Sequence, residues 1–419
     1  MKHLVLIAGM YYPQPSPTGR CASRYVSLVK DKYRVDVIFI QSGSEKMYGK
    51  QVRGETLYGL CNWRLLTENW FAKRRMKTSH SILKSVYHAG VVAMKAAGRI
   101  QSVVFFPDNL RWYYKKSYAQ LLKIHAENKI DVVLTVNSPF SAHLAGKAFK
   151  NAFPEVRWVT YTVDPYYLSS RIGKKFFGKN AGKSLHAEQE VLSHADINLL
   201  SEEIFENGKG LYASFKAKTF PLPYLMPSND MQTDSLLFNH NKINLVYAGR
   251  FYKDIRNPEY LLKAFLGTKN KDLILHLYAA SDCEELIDKC VRMSSGRIVR
   301  HELVAQDEIM RVINSADVLV SVGNSAPEFK PSKTFEYVSS GKPIIGIYKN
   351  KLQDTTLNLY PLAVQIDEDS SSVEEGSMLM ENFSLRSKGK NADAEEIEHI
   401  YSKHFPTYIK KILNSAMEQ

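Results

Sequence analysis

Long apolar runs are missing from this 419-residue chain. No stretch reaches about 18 consecutive apolar residues without a charge, the length at which a membrane-spanning helix becomes a candidate. The apolar run after Met1 is also too short for a secretory signal, so residues 3–9 are expected to form a first strand. The sequence therefore predicts neither a spanning helix nor a leader.

Cysteine is scarce as well. Cys21, Cys61, Cys283 and Cys290 lack the close spacing of a zinc site or of a disulfide scaffold, and this usage fits a reducing cytoplasm. An Asp-x-Asp triplet at residues 367–369 stands between a late strand and a serine-rich loop, and we attribute it to chance. We predict no bound metal.

Acidic residues are few in the first half. Residues 1–222 contain 33 Lys or Arg against 16 Asp or Glu, whereas the remainder contains 23 against 27. The net charge of +13 therefore comes from the first half. Such a charge predicts a polyanionic neighbour, either nucleic acid or an anionic membrane surface. No recognised nucleic-acid motif accompanies it.

Three segments of this half mix aromatic and basic residues, at positions 63–77, 111–116 and 171–183. Aromatic rings sit well at a lipid headgroup boundary while Lys and Arg contact anionic lipid. The same mixture can stack on single-stranded nucleic acid and neutralise it. Composition leaves both partners open.

The chain alternates β-branched runs with helical stretches, which predicts doubly wound parallel sheets. In the first half we expect strands over residues 3–9, 35–40, 103–106, 131–136, 158–164 and 196–200, and helices over 21–30, 115–128 and 141–152. In the second half we expect strands over 243–249, 273–279, 297–302, 318–323, 344–348 and 363–367.

The length fits two α/β domains of about 200 residues each. A stretch rich in Pro, Ser, Asn and Asp between them indicates a linker. We expect a first domain over residues 1–222, a linker over 223–242, a second domain over 243–395 and a closing helix over 396–419.

One segment of the second half combines the features of a phosphate site. Residues 331 and 332 suit the first turn of a short helix, and Gly341 suits its end. A helix that opens after a strand points free N–H groups at an anion, and Lys333 adds positive charge. Glu328 and Glu336 lie on nearly the same side. Since they would repel the anion, we expect them to accept hydrogen bonds from hydroxyls attached to it, as in a nucleotide sugar.

A second basic loop follows the strand at 243–249. Arg250 offers a bidentate fork to a diphosphate, and Lys253 and Arg256 stand close behind it. This loop is the second predicted donor contact.

Three further polar candidates follow strands of the first half. The proline-rich loop at residues 10–20 contains Gly19, which can bring backbone close to a ligand before a helix starts. Asp164 ends a predicted buried strand, where an acid needs a partner, either substrate or nearby backbone N–H groups. His143 lies one turn into a helix and serves either substrate or structure.

The sequence Glu-x7-Glu, continuing as Phe-Glu-Tyr-x3-Gly-Lys-Pro from Phe335, resembles the donor-binding segment of retaining glycosyltransferases of family 4, which have the GT-B fold. The Gly19 loop, the Asp164 loop and Gly249-Arg250 occur in the same order as in that family. The resemblance implies two Rossmann-like domains facing a central cleft, with the nucleotide in the second domain, the acceptor in the first and a last helix that crosses back. Ile255 occupies the position of a family lysine, so Arg256, and after it Lys253, is taken as the substitute.

The implied activity is metal-independent transfer of a sugar, with retention, from a nucleotide diphosphate donor to a hydroxyl of a lipid-linked or glycan acceptor. UDP is the expected nucleotide, and no cofactor other than the donor is expected. The implied setting is surface polysaccharide synthesis, as of lipopolysaccharide or capsule, by a cytoplasmic protein held peripherally on the inner face of the plasma membrane, with no nucleic acid bound. The implied catalytic residues are Glu328, Arg250 and Asp164, and the implied donor contacts are Gly19, Arg250, Lys253, Arg256, Ser332, Lys333, Thr334 and Glu336. A nucleotide-sugar epimerase of the same fold and a basic nucleic-acid-binding protein remain alternatives.

Overall fold

A computed structural model describes the whole chain except residues 14–15, 42–46, 79, 105–107, 109, 164–165, 168–180, 208–211, 228–236, 305, 326–332, 350–353 and 419. The chain divides into two units, one of residues 1–225 with 406–419 and the other of residues 226–405. Each unit is built on one parallel or almost wholly parallel sheet. The predicted α/β class with two doubly wound domains is confirmed.

The sheet of the first unit has eight strands in its described part. They are β1 (Lys2–Ile7), β2 (Tyr33–Ile40), β3 (Tyr48–Val52), β4 (Glu55–Leu60), β5 (Val132–Val136), β6 (Arg157–Thr162), β7 (Ile197–Leu200) and β8 (Thr219–Pro221). Their order is β3-β4-β2-β1-β5-β6-β7-β8, with only β3 antiparallel. The chain therefore leaves β1 first towards β2 and later returns to its other side at β5, which makes the edge between β1 and β5 a topological switch point.

Both faces of this sheet are covered by helices. Alternate residues of β1 belong to two separate buried clusters, Leu4 and Leu6 to one and Val5 and Ile7 to the other. A strand that is apolar on both faces is typical of a doubly wound parallel sheet. The α-helices of this stretch are Pro17–Ser27, Trp63–Lys77, Ser81–Val104, Arg111–Glu127, Ser141–Ala152, Ala181–His194 and Glu202–Asn207, followed by a 3-10 helix at Ala213–Lys218.

The last helix, Pro406–Glu418, belongs to the first unit. Ile409 and Leu413 are fully buried in the same cluster as Leu4. The backbone carbonyl of Ala416 accepts a hydrogen bond of 2.6 Å from Arg157 Nε. The chain therefore returns to the first unit after completing the second.

The second unit has six parallel strands in its described part. They are β9 (Ile243–Arg250), β10 (Leu273–Ala280), β11 (Ile298–Arg300), β12 (Val318–Val322), β13 (Ile344–Tyr348) and β14 (Ala363–Asp367), in the order β11-β10-β9-β12-β13-β14. The α-helices are Glu259–Gly267, Glu284–Met293, Gln306–Ser315, Lys333–Ser339, Thr355–Asn358, Val373–Ser387 and Ala394–Ile400, with a 3-10 helix at Ser402–His404. The switch point of this sheet lies between β9 and β12.

Two expectations about secondary structure need correction. The predicted strand at residues 103–106 is wrong where it is described, because Val104 ends the helix Ser81–Val104. The helix expected from residue 21 begins at Pro17, since Ser16 caps it and proline suits a first turn. The closing helix has the break around Pro406 for which its sequence leaves room, because proline starts a helix more readily than it continues one.

None of the helices in the described part of the chain is both long and apolar enough to cross a membrane. All four cysteines are free thiols.

Candidate functional site

Strands β9 and β12 separate towards their carboxyl ends. They pair at Leu245 and Val246, whereas β9 stays paired with β10 as far as Arg250. Beyond the last pair, the hydroxyl of Tyr337 takes the place of a neighbouring strand: it accepts from the backbone N–H of Ala248 at 2.9 Å and lies 3.2 Å from that residue's carbonyl oxygen. The pairing of β9 with β12 therefore ends at Val246, and beyond it the helix Lys333–Ser339 bonds β9 through Tyr337.

Arg250 is the last residue of β9 and is exposed. Its guanidinium carbon lies 5.1 Å from the ring centroid of Tyr252, within the range of a cation–π contact. The ring orients the cation without neutralising it. Arg250 therefore presents positive charge at the carboxyl end of the strand, as predicted for a diphosphate contact.

Arg256 joins the loops that follow β9 and β12. Its Nε donates to the side chain of Asn324 at 3.0 Å, and its terminal nitrogen donates to the carbonyl of Arg250 at 3.4 Å. The backbone of Ser325 donates to the carbonyl of Ile255 at 2.7 Å. These bonds hold Arg250 and Arg256 side by side at the switch point.

Tyr247 supports the same corner from inside the unit. Its ring stacks on Phe251 with a centroid separation of 4.0 Å, and its hydroxyl donates to the carbonyl of Arg250 at 3.2 Å. Burial raises the pKa of Tyr247 to about 12, against the opposing effect of Arg256 beside it. The Arg250 backbone is thus fixed by two buried aromatic residues.

Lys253 stands farther from this corner. Its backbone N–H donates to the Asp282 side chain at 2.7 Å, in the loop that follows β10, and its own side chain is exposed. Of the two predicted substitutes for the family lysine, Arg256 contacts Arg250 and Lys253 is turned towards the next loop.

Glu336 and Lys333 form a pair in the first turn of their helix. The Glu336 residue is buried, and its carboxylate lies 2.5 Å from the Lys333 Nζ, whose side chain is 22% exposed. A carboxylate near a helix start is favoured by the helix dipole, but burying a charge pair costs desolvation. The structure brings both predicted contacts together, one residue from Tyr337.

Thr334 faces the other side of this helix. It is fully buried and its hydroxyl donates to the Asp354 side chain at 2.7 Å. Asp354 in turn caps the helix Thr355–Asn358 by accepting from the backbone N–H of Thr356 at 3.0 Å. Thr334 thus ties its helix to the loop after β13, and the structure does not bring its hydroxyl to Arg250.

The switch point of the first unit is closed. A Cβ at Gly9, after β1, would stand 2.5 Å from the carbonyl oxygen of Ser138, after β5. The start of the next helix is occupied too, because Asp108 accepts from the backbone N–H of Ser141 at 2.7 Å and from its hydroxyl at 2.5 Å. Burial raises the pKa of Asp108.

Gly19 differs from its predicted place. It is the third residue of the helix Pro17–Ser27, its N–H donates to the Ser16 hydroxyl at 3.1 Å, and a Cβ there would collide with the carbonyl of Met10. In this structure the glycine allows the loop after β1 to fold tightly over the helix.

His143 is a core residue. Its Nδ1 lies 2.7 Å from the Thr135 hydroxyl, which also accepts from the Trp158 indole N–H at 2.9 Å. Burial lowers its pKa to about 3, so the ring is neutral at physiological pH. Of the two roles considered for His143, these contacts show the structural one.

Glu328, Ser332 and Asp164 lie outside the described residues, so the roles expected of them stay predictions. In the described part of the chain no group of three or more His, Cys, Asp or Glu side chains is arranged to hold a metal ion.

Sequence reasoning missed three residues that shape these sites: Tyr337, Asn324 and Asp108. Asn324 carried a signal, since it is a polar residue directly after a buried strand and a glycine. Tyr337 and Asp108 carried none, because the atoms they bond lie 89 and 33 positions away along the chain.

No protein-family model and no curated protein match this sequence. Solved structures match it along its whole length. Sucrose-phosphate synthase from Thermosynechococcus elongatus superposes with a TM-score of 0.66 at 13% identity, over 99% of this chain and 98% of its own. The lipopolysaccharide outer core galactosyltransferase WaaB, in its apo form, gives 0.59 at 12% identity, over 99% of each chain.

An E. coli trehalose-6-phosphate protein bound with UDP-2-fluoro glucose gives a TM-score of 0.65 at 11% identity, over 100% of this chain and 99% of its own. Identities this low show the fold alone. The chain has the GT-B arrangement of two Rossmann-like domains shared by these glycosyltransferase structures.

Proposed function

We propose that the protein is a retaining, metal-independent glycosyltransferase that moves a sugar from a UDP-sugar to a hydroxyl of a lipid-linked or glycan acceptor. The observation that carries the proposal is the switch point where the pairing of β9 with β12 ends, with Arg250 exposed at the end of β9 and the Glu336–Lys333 pair in the helix that bonds β9 through Tyr337. A cation and a carboxylate thus lie at the switch point, the position where α/β sheets bind ligands. The family 4 resemblance and the sugar nucleotide bound to a protein of the same fold support the same assignment.

Arg250 and Arg256 are assigned to the diphosphate. When the bond between sugar and phosphate breaks, negative charge develops on the departing phosphate oxygen, and a guanidinium held in place beforehand stabilises it. Arg256 would act mainly by holding Arg250, because two of its nitrogens already bond Asn324 and the Arg250 carbonyl.

Glu336 is assigned to the ribose hydroxyls, and its contact with Lys333 suggests how it is prepared. Lys333 is a flexible, partly exposed cation that contacts the carboxylate. A bound diphosphate would offer this ammonium a second anion. Lys333 would then move towards the phosphates, and Glu336 would accept bonds from the ribose.

The remaining roles follow the resemblance. Glu328 would bind hydroxyls of the donor sugar and Asp164 would face the acceptor. The leaving phosphate would take the acceptor's proton in a front-face substitution, so neither acid would serve as a nucleophile. The first unit would bind the acceptor, in surface polysaccharide synthesis on the inner face of the plasma membrane.

Calorimetric titration of the purified chain with UDP, GDP and ADP in chelator-treated buffer tests the donor site. We expect selective binding of UDP that Arg250→Ala and Glu336→Ala both weaken. Arg292→Ala, which removes an exposed arginine elsewhere in the same unit, is the matched control and should leave binding unchanged.

A second arm separates transfer from the alternatives. UDP-sugars incubated with enzyme and an extract of lipid-linked glycans should give UDP and a glycan heavier by one sugar. Isomerised UDP-sugar without transfer would indicate an epimerase. A folded protein that binds none of the three nucleotides would refute the proposal.

A further inference from the structure

The helices Trp63–Lys77 and Ser81–Val104 form an antiparallel pair, here called the 63–104 hairpin. A Cβ at Gly90 would stand 2.6 Å from the Phe71 ring, and one at Gly98 would stand 2.8 Å from the Arg64 guanidinium. Arg64 also donates to the carbonyl of Met94 at 3.2 Å. Glycines therefore let the two helices approach closely, and their shared face is filled by Phe71, Arg64 and Tyr87.

The outer face of the hairpin is unusually apolar. The described part of the chain has twenty large apolar side chains that expose more than a third of their surface. Seven of them belong to this hairpin, between positions 63 and 92. They are Trp63, Leu66, Trp70, Ile82, Leu83, Val86 and Val92. A patch this concentrated indicates a binding surface rather than the scattered apolar residues of ordinary protein surfaces.

Helical spacing aligns five of these residues in two stripes, one on each helix. Trp63, Leu66 and Trp70 stand at positions i, i+3 and i+7 and so lie on one face of the first helix. On the second helix Ile82 and Val86 begin a stripe that continues through the exposed Ala89 and Ala93. Trp63 exposes 68% of its surface and Ile82 exposes 76%, so both are almost fully accessible.

Positive charge borders this apolar surface. Residues 63–104 contain eight Lys or Arg and a single acid, Glu68. Lys73 and Arg74 are exposed on the first helix, and Lys84 and Lys95 are exposed on the second. The Arg74 guanidinium lies 5.0 Å from the Trp70 ring centroid, so the aromatic and basic parts of the surface adjoin.

We propose that the 63–104 hairpin docks on an anionic phospholipid surface, with its indole rings at headgroup level and its lysines on lipid phosphates. Burying leucine, isoleucine and valine side chains among acyl chains stabilises membrane binding. Single-stranded nucleic acid is bound instead by aromatic rings that stack on its bases, which aliphatic side chains cannot provide. Two copies of a hairpin with a charge of +7 would repel each other. Lipid is the occupant that satisfies the apolar and the basic parts together.

The inference deepens the membrane setting of the proposed function by naming the surface that would provide it, and it does not depend on sugar transfer. The hairpin belongs to the first unit, whereas the proposed donor contacts belong to the second. Nucleotide titration and vesicle binding can therefore fail separately.

The test is sedimentation of the full chain with vesicles of phosphatidylcholine alone or with 30 mol% phosphatidylglycerol, a composition chosen for the assay. We expect binding to the anionic vesicles only. Loss of two surface lysines in Lys84→Gln/Lys95→Gln should weaken it roughly tenfold or more, since each basic residue near the surface adds about a factor of five. Ile82→Ser/Val86→Ser should weaken it by a similar factor, because apolar area buried in the interface also sets binding strength.

Matched controls lie in the second unit, where Lys271→Gln/Lys289→Gln and Met293→Ser/Leu303→Ser make the same chemical changes at exposed positions. Both should bind vesicles as the unaltered chain does. Circular dichroism and urea unfolding should confirm that every variant is folded.

Tryptophan emission adds a positional readout, since Trp63 and Trp70 are exposed and Trp158 is buried. Lipids brominated on their acyl chains should quench emission of the unaltered chain, and Trp63→Phe/Trp70→Phe should lose most of this quenching. No binding to anionic vesicles, an equal effect of the control variants, or concentration-dependent dimers that Ile82→Ser/Val86→Ser dissolves would overturn the proposal.

Discussion

The two units contain the same topological switch point and use it in opposite ways. In the first unit the loops after β1 and β5 touch, because Gly9 leaves room for the Ser138 carbonyl, and the helix start is occupied by the Asp108 carboxylate. In the second unit the pairing of β9 with β12 ends at Val246, the loops that follow are joined through Arg256 and Asn324, and Arg250 stands exposed at the end of β9. One switch point is capped by an acid, and the other is bordered by a cation.

This difference indicates which unit can hold a phosphate. A helix N-terminus attracts anions only while its N–H groups are available, and Asp108 already uses the backbone N–H of Ser141. Its carboxylate would repel a second anion, whereas Arg250 would attract one. The comparison therefore favours the second unit for the proposed diphosphate, and a neutral, hydroxyl-bearing ligand is the better match for the first.

The sharpest way to break the comparison is to remove one arginine from each switch point. Arg250→Ala should weaken UDP binding by about 1.5–3 kcal/mol, roughly 10- to 150-fold, the range for a hydrogen bond to a charged group. Arg20→Ala, in the first turn of the helix after β1, should leave UDP binding unchanged. Calorimetry measures both.

The opposite result is equally informative. If Arg20→Ala weakens UDP binding more than Arg250→Ala, the phosphate lies in the first unit and the assignment of donor and acceptor is reversed.

A second prediction concerns the closed switch point. Gly9→Ala places a methyl group 2.5 Å from a backbone oxygen and should lower the free energy of unfolding of the first unit by about 1–3 kcal/mol. Gly323→Ala, after β12, meets its nearest atom at 3.3 Å and should cost less than about 1 kcal/mol. Urea unfolding followed by tryptophan fluorescence reports the first unit, since all four tryptophans lie there, and far-ultraviolet circular dichroism reports both units.

Gly182→Ala is the control for these two variants, because a Cβ there meets nothing within 4 Å. It should be neutral or slightly stabilising, as expected for alanine in a helix. An equal cost at Gly9 and at Gly323 would contradict the closer packing described for the switch point of the first unit.

A third prediction tests the switch point of the second unit, between β9 and β12. Tyr337→Phe removes the hydroxyl that bonds Ala248 and leaves buried backbone groups without that partner, so the second unit should lose about 1–3 kcal/mol. The circular dichroism transition should shift while the tryptophan transition stays in place, because the two units are expected to unfold as separate domains.

Tyr348→Phe, on a half-exposed tyrosine of β13, should shift neither transition. A coincident shift of both transitions in Tyr337→Phe would show instead that the units unfold together.

The sequence alone predicts most of the fold. The strands Ile344–Tyr348 and Ala363–Asp367 and the helix Ser141–Ala152 have their predicted bounds, because β-branched runs and apolar spacing determine them locally. Strands β3 and β4 were not predicted, since β3 is exposed and polar and the only local signal is the turn at Arg53 and Gly54, both with positive φ. The error at residues 103–106 came from reading two valines at a helix end as a strand.

The candidate site is less predictable than the fold. Arg250 and Glu336 could be named because both stand in local patterns at strand and helix ends. The contact of Glu336 with Lys333 follows from i, i+3 spacing, but the point at which β9 and β12 stop pairing does not follow from any local pattern. It depends on how far two strands stay paired, which is decided by packing across residues distant in sequence.

The last contrast concerns the buried acids of the two units. Glu336 lies against the Lys333 ammonium, whereas Glu188 accepts from the Tyr167 backbone N–H at 3.0 Å and the Tyr212 hydroxyl at 3.3 Å. Burial raises the pKa of Glu188 to about 7. Between its ordinary pKa of 4.5 and about 7 the folded state therefore binds the extra proton, and stability falls as pH rises through this window.

Glu188→Gln should remove this dependence, because an amide keeps an acceptor for the Tyr167 N–H and cannot ionise. The free energy of unfolding of the unaltered chain should fall by at most about 1.4 kcal/mol per pH unit because of Glu188. The stability of the variant relative to the unaltered chain should therefore rise from pH 5 to pH 7. Tryptophan-detected urea unfolding at each pH measures the difference. Glu190→Gln, in the same helix, is the control. Lys147 lowers the pKa of Glu190, so the stability that this carboxylate contributes is present above pH 4.5 and stays constant between pH 5 and 7. Parallel pH profiles for Glu188→Gln and the unaltered chain would mean that the Glu188 carboxylate ionises as easily in the folded state as in water. The contrast between Glu188, which has no cation beside it in the contacts given above, and Glu336, which lies against Lys333, would then disappear.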